Sequence, residues 1–232
     1  MGRRARRLSA AALAAALAFA ASRAALAGAQ QYEVLSAAVR ASLAHAVADS
    51  PNVDLADMDT RAWVRAMTPR MIGRFPDERS TRRFLALVRY EAMRAGLDPQ
   101  LVLAVMDVES HFRKYAVSKA GARGLMQVMP SVGQQVARSL GYPLWDPGLL
   151  FDPDANLELG VAHLASSIRQ YDDIPRVLAA YNAGGSRVRR WETKPGADDP
   201  EIFAERIPFT ETRDYVRIVQ RNVELYRALY HW

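Results

Sequence analysis

The amino-acid sequence predicts a mainly α-helical protein with at most a very small sheet. Apolar residues recur every three or four positions along much of the chain, which is the spacing of one face of a helix. Helix starts are marked by pairs such as Asp98-Pro99 and Asp152-Pro153, and helix ends by glycines such as Gly96. Alternating runs rich in β-branched residues, which would indicate strands, are few.

The N-terminal segment has the pattern of a secretory signal peptide. Residues 1–29 begin with paired arginines, continue with an apolar core of alanine and leucine, and end in Ala27-Gly28-Ala29. We therefore expect cleavage before Gln30, export to the periplasm or another extracytoplasmic compartment, and no stable membrane insertion afterwards. An uncleaved membrane anchor is the alternative, although the apolar core is short for a membrane span.

The charge balance and the absence of cysteine exclude several classes of function. Five arginines and no acidic residues lie in residues 1–29, so the net charge falls from +6 to +1 when they are removed. The mature chain then lacks the basic excess of nucleic-acid-binding proteins, and we expect no nucleic-acid partner. Without cysteine there are no disulfides or thiolate nucleophiles. The four histidines show no ligand-like spacing, so we expect neither a metal nor another cofactor.

Residues 30–79 are predicted to form a short helical N-terminal appendage. Helical spacing extends from Tyr32 to Ala48, where an Asp-Ser-Pro sequence stops it. A second short helix is expected to start near Asp59 and to bury Trp63 and Met67, before two prolines interrupt the pattern.

Residues 80–232 carry the stronger helical signals and are predicted to form the main domain. Ser80 or Thr81 can cap its first helix, and the next helix is expected to begin after Asp98 and to reach about Ser110. Further helices are expected over about residues 131–140, 152–171, 175–182 and 211–230. The last of these places aromatic and apolar side chains on one stripe: Tyr215, Val219, Val223, Tyr226 and Tyr230.

Glu109 is a carboxylate at the end of an apolar helix. It follows Val105 by four residues and Val102 by seven, so the three side chains share the face that the pattern predicts to be buried. A carboxylate at a helix C-terminus opposes the helix dipole, and an apolar setting raises its pKa, as a general acid near neutral pH requires. Taken alone, Glu109 also fits a solvated helix end.

The nearest second carboxylate, Asp107, does not form a pair with Glu109. Two residues along a helix correspond to a rotation of about 200°, so the two side chains are expected to face opposite ways. The loop from Ser118 to Gly124 is made of small residues, so its backbone could approach a ligand closely, although an ordinary helix connection would look the same. Gln127 and Met129 follow this loop. Either Gln127 presents an amide and Met129 an apolar wall to a ligand, or both side chains simply pack within the protein.

Four sequence blocks occur in order along the chain. They are ESHFRKYAVSKAGARGLMQVMP from Glu109, FDPDANLELGVAHL from Phe151, VLAAYNAGGSRV from Val177 and ERIPFTETRDYV from Glu205. Together they resemble the soluble lytic transglycosylase (SLT) catalytic-domain family, relatives of goose-type lysozyme. The resemblance implies a lysozyme-like α-helical domain over residues 80–232. Many members have Asn-Pro shortly after the start of the first block, whereas this chain has Arg113-Lys114-Tyr115. The family's contacts in this loop therefore do not carry over to this chain. Residues 30–79 match nothing in the family.

The resemblance implies a peptidoglycan lytic transglycosylase whose partners are glycan strands. Members cleave the β-1,4 bond between N-acetylmuramic acid and N-acetylglucosamine with one essential glutamate, here Glu109. Glu109 would first protonate the glycosidic oxygen and then, as a base, take the proton of the muramyl C6 hydroxyl. That hydroxyl would close on C1 to give a 1,6-anhydro product, so neither a water molecule nor a second acid would be needed.

The resemblance also implies a substrate-binding set around Glu109, namely Ser118, Gln127, Met129, Tyr181, Asn182, Glu205 and Tyr215. Ser118 is expected either to contact the sugar or its N-acetyl group or to stabilise the turn. Glu205 is expected to orient groups of the cleft. Glu211 is instead assigned to the N-terminus of the last helix, where a carboxylate is stabilising.

Two other functions remain open at this point. A lysozyme-type muramidase would hydrolyse the same bond with water, and a non-catalytic peptidoglycan-binding protein could use the same scaffold. The intact Glu109 and its surrounding blocks argue against the second of these. A partner in the cell envelope, such as a secretion or division machine, is left unassigned.

Overall fold

The computed structural model describes residues 58–142 and 144–230. The signal peptide expected at residues 1–29 and the helix expected at residues 32–48 lie outside these described residues. In order, the described helices are α1 (Met58–Met71), α2 (Glu78–Arg94), α3 (Pro99–Ser110), α4 (Pro130–Ser139), a 3₁₀ helix (Pro147–Phe151), α5 (Pro153–Ile168), α6 (Ile174–Ala183), α7 (Gly185–Glu192), α8 (Pro200–Glu205) and α9 (Thr210–Leu229).

The described residues contain no regular strand. Their β-type pairing consists of isolated antiparallel bridges from Arg123 to Val117 and to Val128. The predicted fold class, mainly α with at most a very small sheet, is therefore confirmed. No helix in the described part of the chain is both long and apolar enough to cross a membrane.

Aspartate residues begin most of the helices, as the sequence pattern indicates. The Asp98 carboxylate accepts a hydrogen bond from the Gln100 amide at 2.8 Å at the start of α3. At α2 the cap is Asp77 rather than Ser80 or Thr81, because the Asp77 carboxylate accepts from the Ser80 amide at 2.6 Å. The helix therefore starts earlier than predicted, and Ser80 and Thr81 lie within its first turns.

Helix α3 is the central helix of the core. Its residues from Leu101 to Met106 are all buried, and it packs against α2 and α9. It ends at Ser110 because His111 and Phe112 adopt left-handed backbone conformations, with φ values of 50° and 61°. This abrupt end places Glu109 in the last turn of a helix whose other side chains are mostly buried.

Helix α1 packs against α2 and belongs to the same hydrophobic core. Trp63, Met67 and Met71 are fully buried in it, as predicted for the first two. The helix also continues through Pro69 to Met71 instead of stopping at the proline. This part of the predicted appendage is thus packed on the main domain.

Two short helices and the 3₁₀ helix were not predicted from the sequence. Helix α7 begins at Gly185, within the pair of glycines that the sequence pattern indicates as a stop, and its exposed face is rich in arginine. It nevertheless buries Val188 and Trp191, so tertiary packing stabilises a segment with a weak local signal. Helix α8 is only six residues long and starts at the Asp199 cap.

Candidate functional site

A cleft of about 210 Å³ opens beside the C-terminal end of α3. Most of the predicted site residues line it, and they come from three separate parts of the chain: Glu109, Ser118, Gln127, Met129, Tyr181 and Asn182. The structure therefore brings together residues from the end of α3, the loop before α4, and the end of α6.

The Glu109 carboxyl is the central titratable group of this cleft. Burial raises the pKa of Glu109 to about 8, the nearby Tyr215 hydroxyl opposes this rise, and the negative charge of Glu211 adds to it. The carboxyl is consequently protonated at neutral pH. A protonated carboxyl in a cleft is the form that can donate a proton to a bound ligand.

Two tyrosine side chains lie near the Glu109 carboxyl. Tyr215 from α9 is only 5% exposed, so it supports Glu109 from within the core instead of forming part of the cleft wall. The Tyr181 hydroxyl donates to the Met126 carbonyl at 2.8 Å, and its ring packs on His163 with a centroid distance of 5.0 Å. Burial raises the pKa of both tyrosines well above the usual value, so both hydroxyls keep their protons.

Ser118 stabilises the turn of the loop and also lines the cleft. The Ser118 amide donates to the Ala122 carbonyl at 2.9 Å, and the Ser118 hydroxyl oxygen accepts from the Ala122 amide at 3.0 Å. The hydroxyl proton is not used in that turn, so it can still be donated to a ligand. Both roles expected for Ser118 are thus compatible with its position.

The Gln127 side chain lines the cleft and is held by the loop. Its Nε2 donates to the carbonyls of Ala116 and Gly124 at 3.0 and 2.9 Å, which fixes the orientation of the amide. Its Oε1 is buried and accepts no hydrogen bond within the described residues. A buried acceptor without a partner is costly, so a donor from a ligand would be favourable here. Met129 forms an apolar and partly exposed part of the wall.

Asn182 is held in place by a residue that sequence reasoning missed. The buried Thr212 of α9 donates from its hydroxyl to Asn182 Oδ1 at 2.8 Å. The Asn182 amide hydrogens therefore remain available as donors toward the cleft. Thr212 lies in the fourth sequence block, but nothing in its spacing distinguishes it from a core residue.

Asn156 fixes the loop that carries Gln127 and Met129. From the fully buried start of α5, its Oδ1 accepts from the Met126 amide at 2.8 Å, and its Nδ2 donates to the carbonyls of Arg123 and Leu150 at 2.9 Å. The loop approaches so closely that a Cβ on Gly124, which has a φ of 76°, would lie 2.2 Å from the Leu150 oxygen. Only glycine fits there.

Of the two glutamates of the fourth block, Glu211 lines the cleft and Glu205 does not. Glu205 is exposed at the end of α8, pairs with Arg217, and is not among the residues that line the cleft. Glu211 lies in the first turn of α9, as predicted, but it also lines the cleft and acts on the Glu109 pKa. Ile207, which lies between them in the sequence, is fully buried, and local spacing does not reveal this.

Asp107 lies away from Glu109, as its spacing predicts. Its carboxylate accepts from the Tyr226 hydroxyl at 3.1 Å and lies 3.4 Å from His111 Nδ1. Neither contact reaches the cleft residues. Elsewhere in the described part of the chain, no group of three or more His, Asp or Glu side chains is arranged to hold a metal ion.

Comparison with known proteins identifies relatives of this chain. The family described as the transglycosylase SLT domain matches residues 86–203. The soluble lytic murein transglycosylase of Escherichia coli K12 is 37% identical over 134 residues, which cover 56% of this chain and 20% of the relative. The membrane-bound lytic murein transglycosylase C of Edwardsiella ictaluri is 32% identical over 192 residues, which cover 72% of this chain and 52% of the relative.

A solved structure extends the similarity to the fold. The lytic transglycosylase of Pseudomonas aeruginosa, an inactive Glu-to-Gln mutant, superposes with a TM-score of 0.59 at 30% identity, covering 82% of this chain and 30% of that one. The chain thus spans between about a fifth and half the length of the curated relatives that it matches.

Proposed function

The chain belongs to the transglycosylase SLT domain family, and we propose that it is a peptidoglycan lytic transglycosylase. It would cleave the β-1,4 bond between N-acetylmuramic acid and N-acetylglucosamine without consuming water. The observation that carries the proposal is Glu109, a carboxyl group held protonated at neutral pH in a cleft lined by hydrogen-bonding side chains.

The proposed reaction uses Glu109 twice. The protonated carboxyl donates its proton to the glycosidic oxygen, and the bond from that oxygen to C1 of the muramyl residue breaks. The resulting carboxylate accepts the proton of the C6 hydroxyl, whose oxygen forms a new bond to C1. The product is a 1,6-anhydro sugar, and Glu109 ends protonated as it began.

The other cleft residues are proposed to bind and orient the sugars. The Gln127 Oε1 would accept a hydrogen bond from an N-acetyl N–H group, and the Asn182 amide and the Ser118 hydroxyl would donate to sugar oxygens. Met129 would cover an apolar face of the ring. Tyr215 would orient the Glu109 carboxyl without contacting the substrate.

A second candidate function is favoured by Glu211. This residue is a second carboxylate in the cleft, and a carboxylate opposite a general acid can activate a water molecule for hydrolysis. The protein would then be a muramidase of the lysozyme type. We rank this second, because Glu211 is exposed at the first turn of α9 and the internal C6 hydroxyl needs no such partner.

We also propose where the protein acts and how its chain is organised. Residues 1–29 would direct export and be removed, so that the protein reaches peptidoglycan outside the cytoplasm. Residues 80–232 would form the catalytic domain. Residues 30–79 would form an appendage, of which α1 is packed on that domain.

The proposal is tested by the variant Glu109→Gln on purified sacculi. We expect wild-type protein to release soluble fragments and the variant to lose at least about 10³-fold in rate, because one group supplies both proton transfers. The variant should still sediment with sacculi, since the amide keeps the shape of the side chain. Asp107→Asn, on the opposite face of α3, is the matched control and should keep most of the activity.

Two results would contradict this assignment. Turnover retained by Glu109→Gln would remove Glu109 as the catalytic residue. Binding of sacculi by wild-type protein without any release of fragments would support the non-catalytic wall-binding alternative.

A further inference from the structure

The helix end that carries Glu109 has an unusual backbone. His111 and Phe112, which follow the last residue of α3, are both left-handed, with φ values of 50° and 61°. This conformation is unfavourable for residues other than glycine, and most of all for a bulky residue such as Phe112. A pair of such residues persists only where surrounding contacts hold it. The contacts around this turn therefore determine where Glu109 lies.

The loop before α4 provides some of these contacts. Ser110 is fully buried, and its hydroxyl donates a hydrogen bond to the Leu125 carbonyl at 2.7 Å. Arg113 Nε donates to the Ser110 carbonyl at 2.9 Å. All three residues lie within the segment that matches the SLT domain family. These contacts thus come from the family's own part of the chain.

Arg74 provides a further contact from outside that segment. It lies in the turn between α1 and α2, before the family match begins at residue 86. Its Nη1 donates to the His111 carbonyl at 3.3 Å, and its guanidinium carbon lies 5.9 Å from the centroid of the Phe112 ring. One side chain therefore contacts both left-handed residues. A cation at the C-terminal end of a helix also interacts favourably with the helix dipole.

The backbone of Arg74 is fixed to the core on both sides, although its side chain is exposed. The Arg74 amide donates to the carbonyl of the fully buried Met71 at 3.0 Å. The next residue, Phe75, packs on Phe84 of α2 with a ring-centroid distance of 4.5 Å. The turn is thus anchored well enough to hold the guanidinium against the end of α3.

We propose that Arg74 is a positioning residue for Glu109: it holds the left-handed end of α3 so that the Glu109 carboxyl stays buried beside the cleft. This inference rests on the proposed function and adds to it a residue of the N-terminal appendage. The groups that act on Glu109 from α6 and α9 are Tyr181, Tyr215 and Glu211, and a substitution of Arg74 leaves all three unchanged.

The first test is the rate of cleavage of purified glycan strands by Arg74→Ala. We expect kcat to fall about three- to five-fold, as fits the loss of one exposed contact. KM should change less than about two-fold, because Arg74 is not among the described residues that line the cleft. A less buried Glu109 has a lower pKa, so the alkaline limb of the pH–rate profile should move down by about half a pH unit. Arg74→Lys, which keeps a charged donor, should recover part of the loss.

Arg65→Ala is the matched control. Arg65 is an exposed arginine of α1 whose side chain makes no hydrogen bond or ion pair with the described residues, so its removal should change neither kcat nor the profile. The charge of Arg74 also acts on Asp107, so Arg74→Ala is repeated in an Asp107→Asn background. The loss should be the same there. Its disappearance would mean that Arg74 acts through Asp107, which would overturn the proposal.

A measurement without substrate separates failure of this inference from failure of the proposed function. In protein labelled with carbon-13 at its glutamate carboxyl groups, the resonance missing from Glu109→Gln identifies Glu109. Its pKa should be lower in Arg74→Ala than in wild type by about half a unit, and unchanged in Arg65→Ala. If wild-type protein cleaved no peptidoglycan but showed this difference, the proposed function would fail while the positioning role stood. An equal pKa in Arg74→Ala and wild type would overturn the positioning role, whether or not cleavage occurred.

Discussion

Asp107 and Glu109 are two carboxyl groups on the same helix that the protein holds in opposite protonation states. Both lose solvent on folding, and for both this desolvation raises the pKa. At Asp107 hydrogen bonds from His111 and Tyr226 and the nearby charge of Arg74 outweigh desolvation, so the pKa is lowered. At Glu109 the nearby Tyr215 hydroxyl does not offset desolvation, and the negative charge of Glu211 adds to the rise, so the pKa reaches about 8.

The difference between these two faces of α3 shows that burial alone does not determine the chemistry of a carboxyl group. The number and sign of its partners decide whether buried charge is stabilised or avoided. The face of Asp107 is arranged to keep an anion as part of the structure. The face of Glu109 is arranged to keep a proton, which is a cost to stability that a functional site can explain.

The largest effect that tests this comparison is the pH dependence of unfolding. For Glu109 the folded pKa lies above the unfolded value, so the native state holds the extra proton and stability falls as pH rises from about 4.5 to 8. Glu109→Gln removes that loss. We compare the free energy of unfolding of the variant with that of wild type at each pH. The difference, in favour of the variant, should be about 2–4 kcal/mol larger at pH 9 than at pH 5. Denaturant titrations at the two pH values measure this.

Asp107→Asn should show the opposite sign. Its folded pKa is lowered, so its contribution is present above the unfolded pKa and is lost as pH falls through the folded value. The variant should be less stable than wild type by about 1–2 kcal/mol at neutral pH, because hydrogen bonds to a charged acceptor are weakened. The deficit should shrink in strong acid. The same sign of pH dependence for both variants would break the comparison.

A smaller effect is expected from the charge of Glu211. Glu211→Gln removes a negative charge from the cleft, so the pKa of Glu109 should fall and the alkaline limb of the pH–rate profile should move to lower pH. Because Glu211 is exposed, we expect the rate at the optimum to change by less than about ten-fold if it only adjusts that pKa.

Glu205→Gln is the matched control for this prediction. Glu205 belongs to the same sequence block but is paired with Arg217 at the surface. Removing its charge should therefore leave the pH–rate profile unchanged. A shift in Glu205→Gln as large as that in Glu211→Gln would mean that the sequence expectation for Glu205 was correct and its placement outside the cleft wrong.

Much of the fold could be predicted because its signals are local. The start of α3 follows from Asp98 and Pro99, and the inward direction of Glu109 follows from its spacing to Val105 and Val102. The same rotation correctly separates Asp107 from Glu109. Helices α7 and α8 were missed because their stability comes from burying residues such as Trp191 and Phe203 against the rest of the core.

The cleft itself was only partly predictable. Periodicity predicted that Glu109 faces inward. The family resemblance supplied its catalytic role and residues such as Gln127 and Asn182, which the structure brings to the same space. Spacing could not distinguish Glu205 from Glu211, because the path of the chain between α8 and α9 depends on tertiary packing. Two further features depend on contacts between segments that are distant in the sequence, so no local pattern predicts them. Gln127 Oε1 has no hydrogen-bond partner among the described residues, and Asn182 Oδ1 accepts a hydrogen bond from the Thr212 hydroxyl.

The most direct test of the central claim is digestion of purified sacculi in water enriched in oxygen-18. If Glu109 accepts the proton of the C6 hydroxyl and the oxygen of that hydroxyl attacks C1, mass spectrometry should find 1,6-anhydro products without the heavy isotope. If Glu211 instead activates water, the products should be reducing sugars that carry oxygen-18 at C1. Labelled reducing ends as the main product would contradict the lytic transglycosylase mechanism.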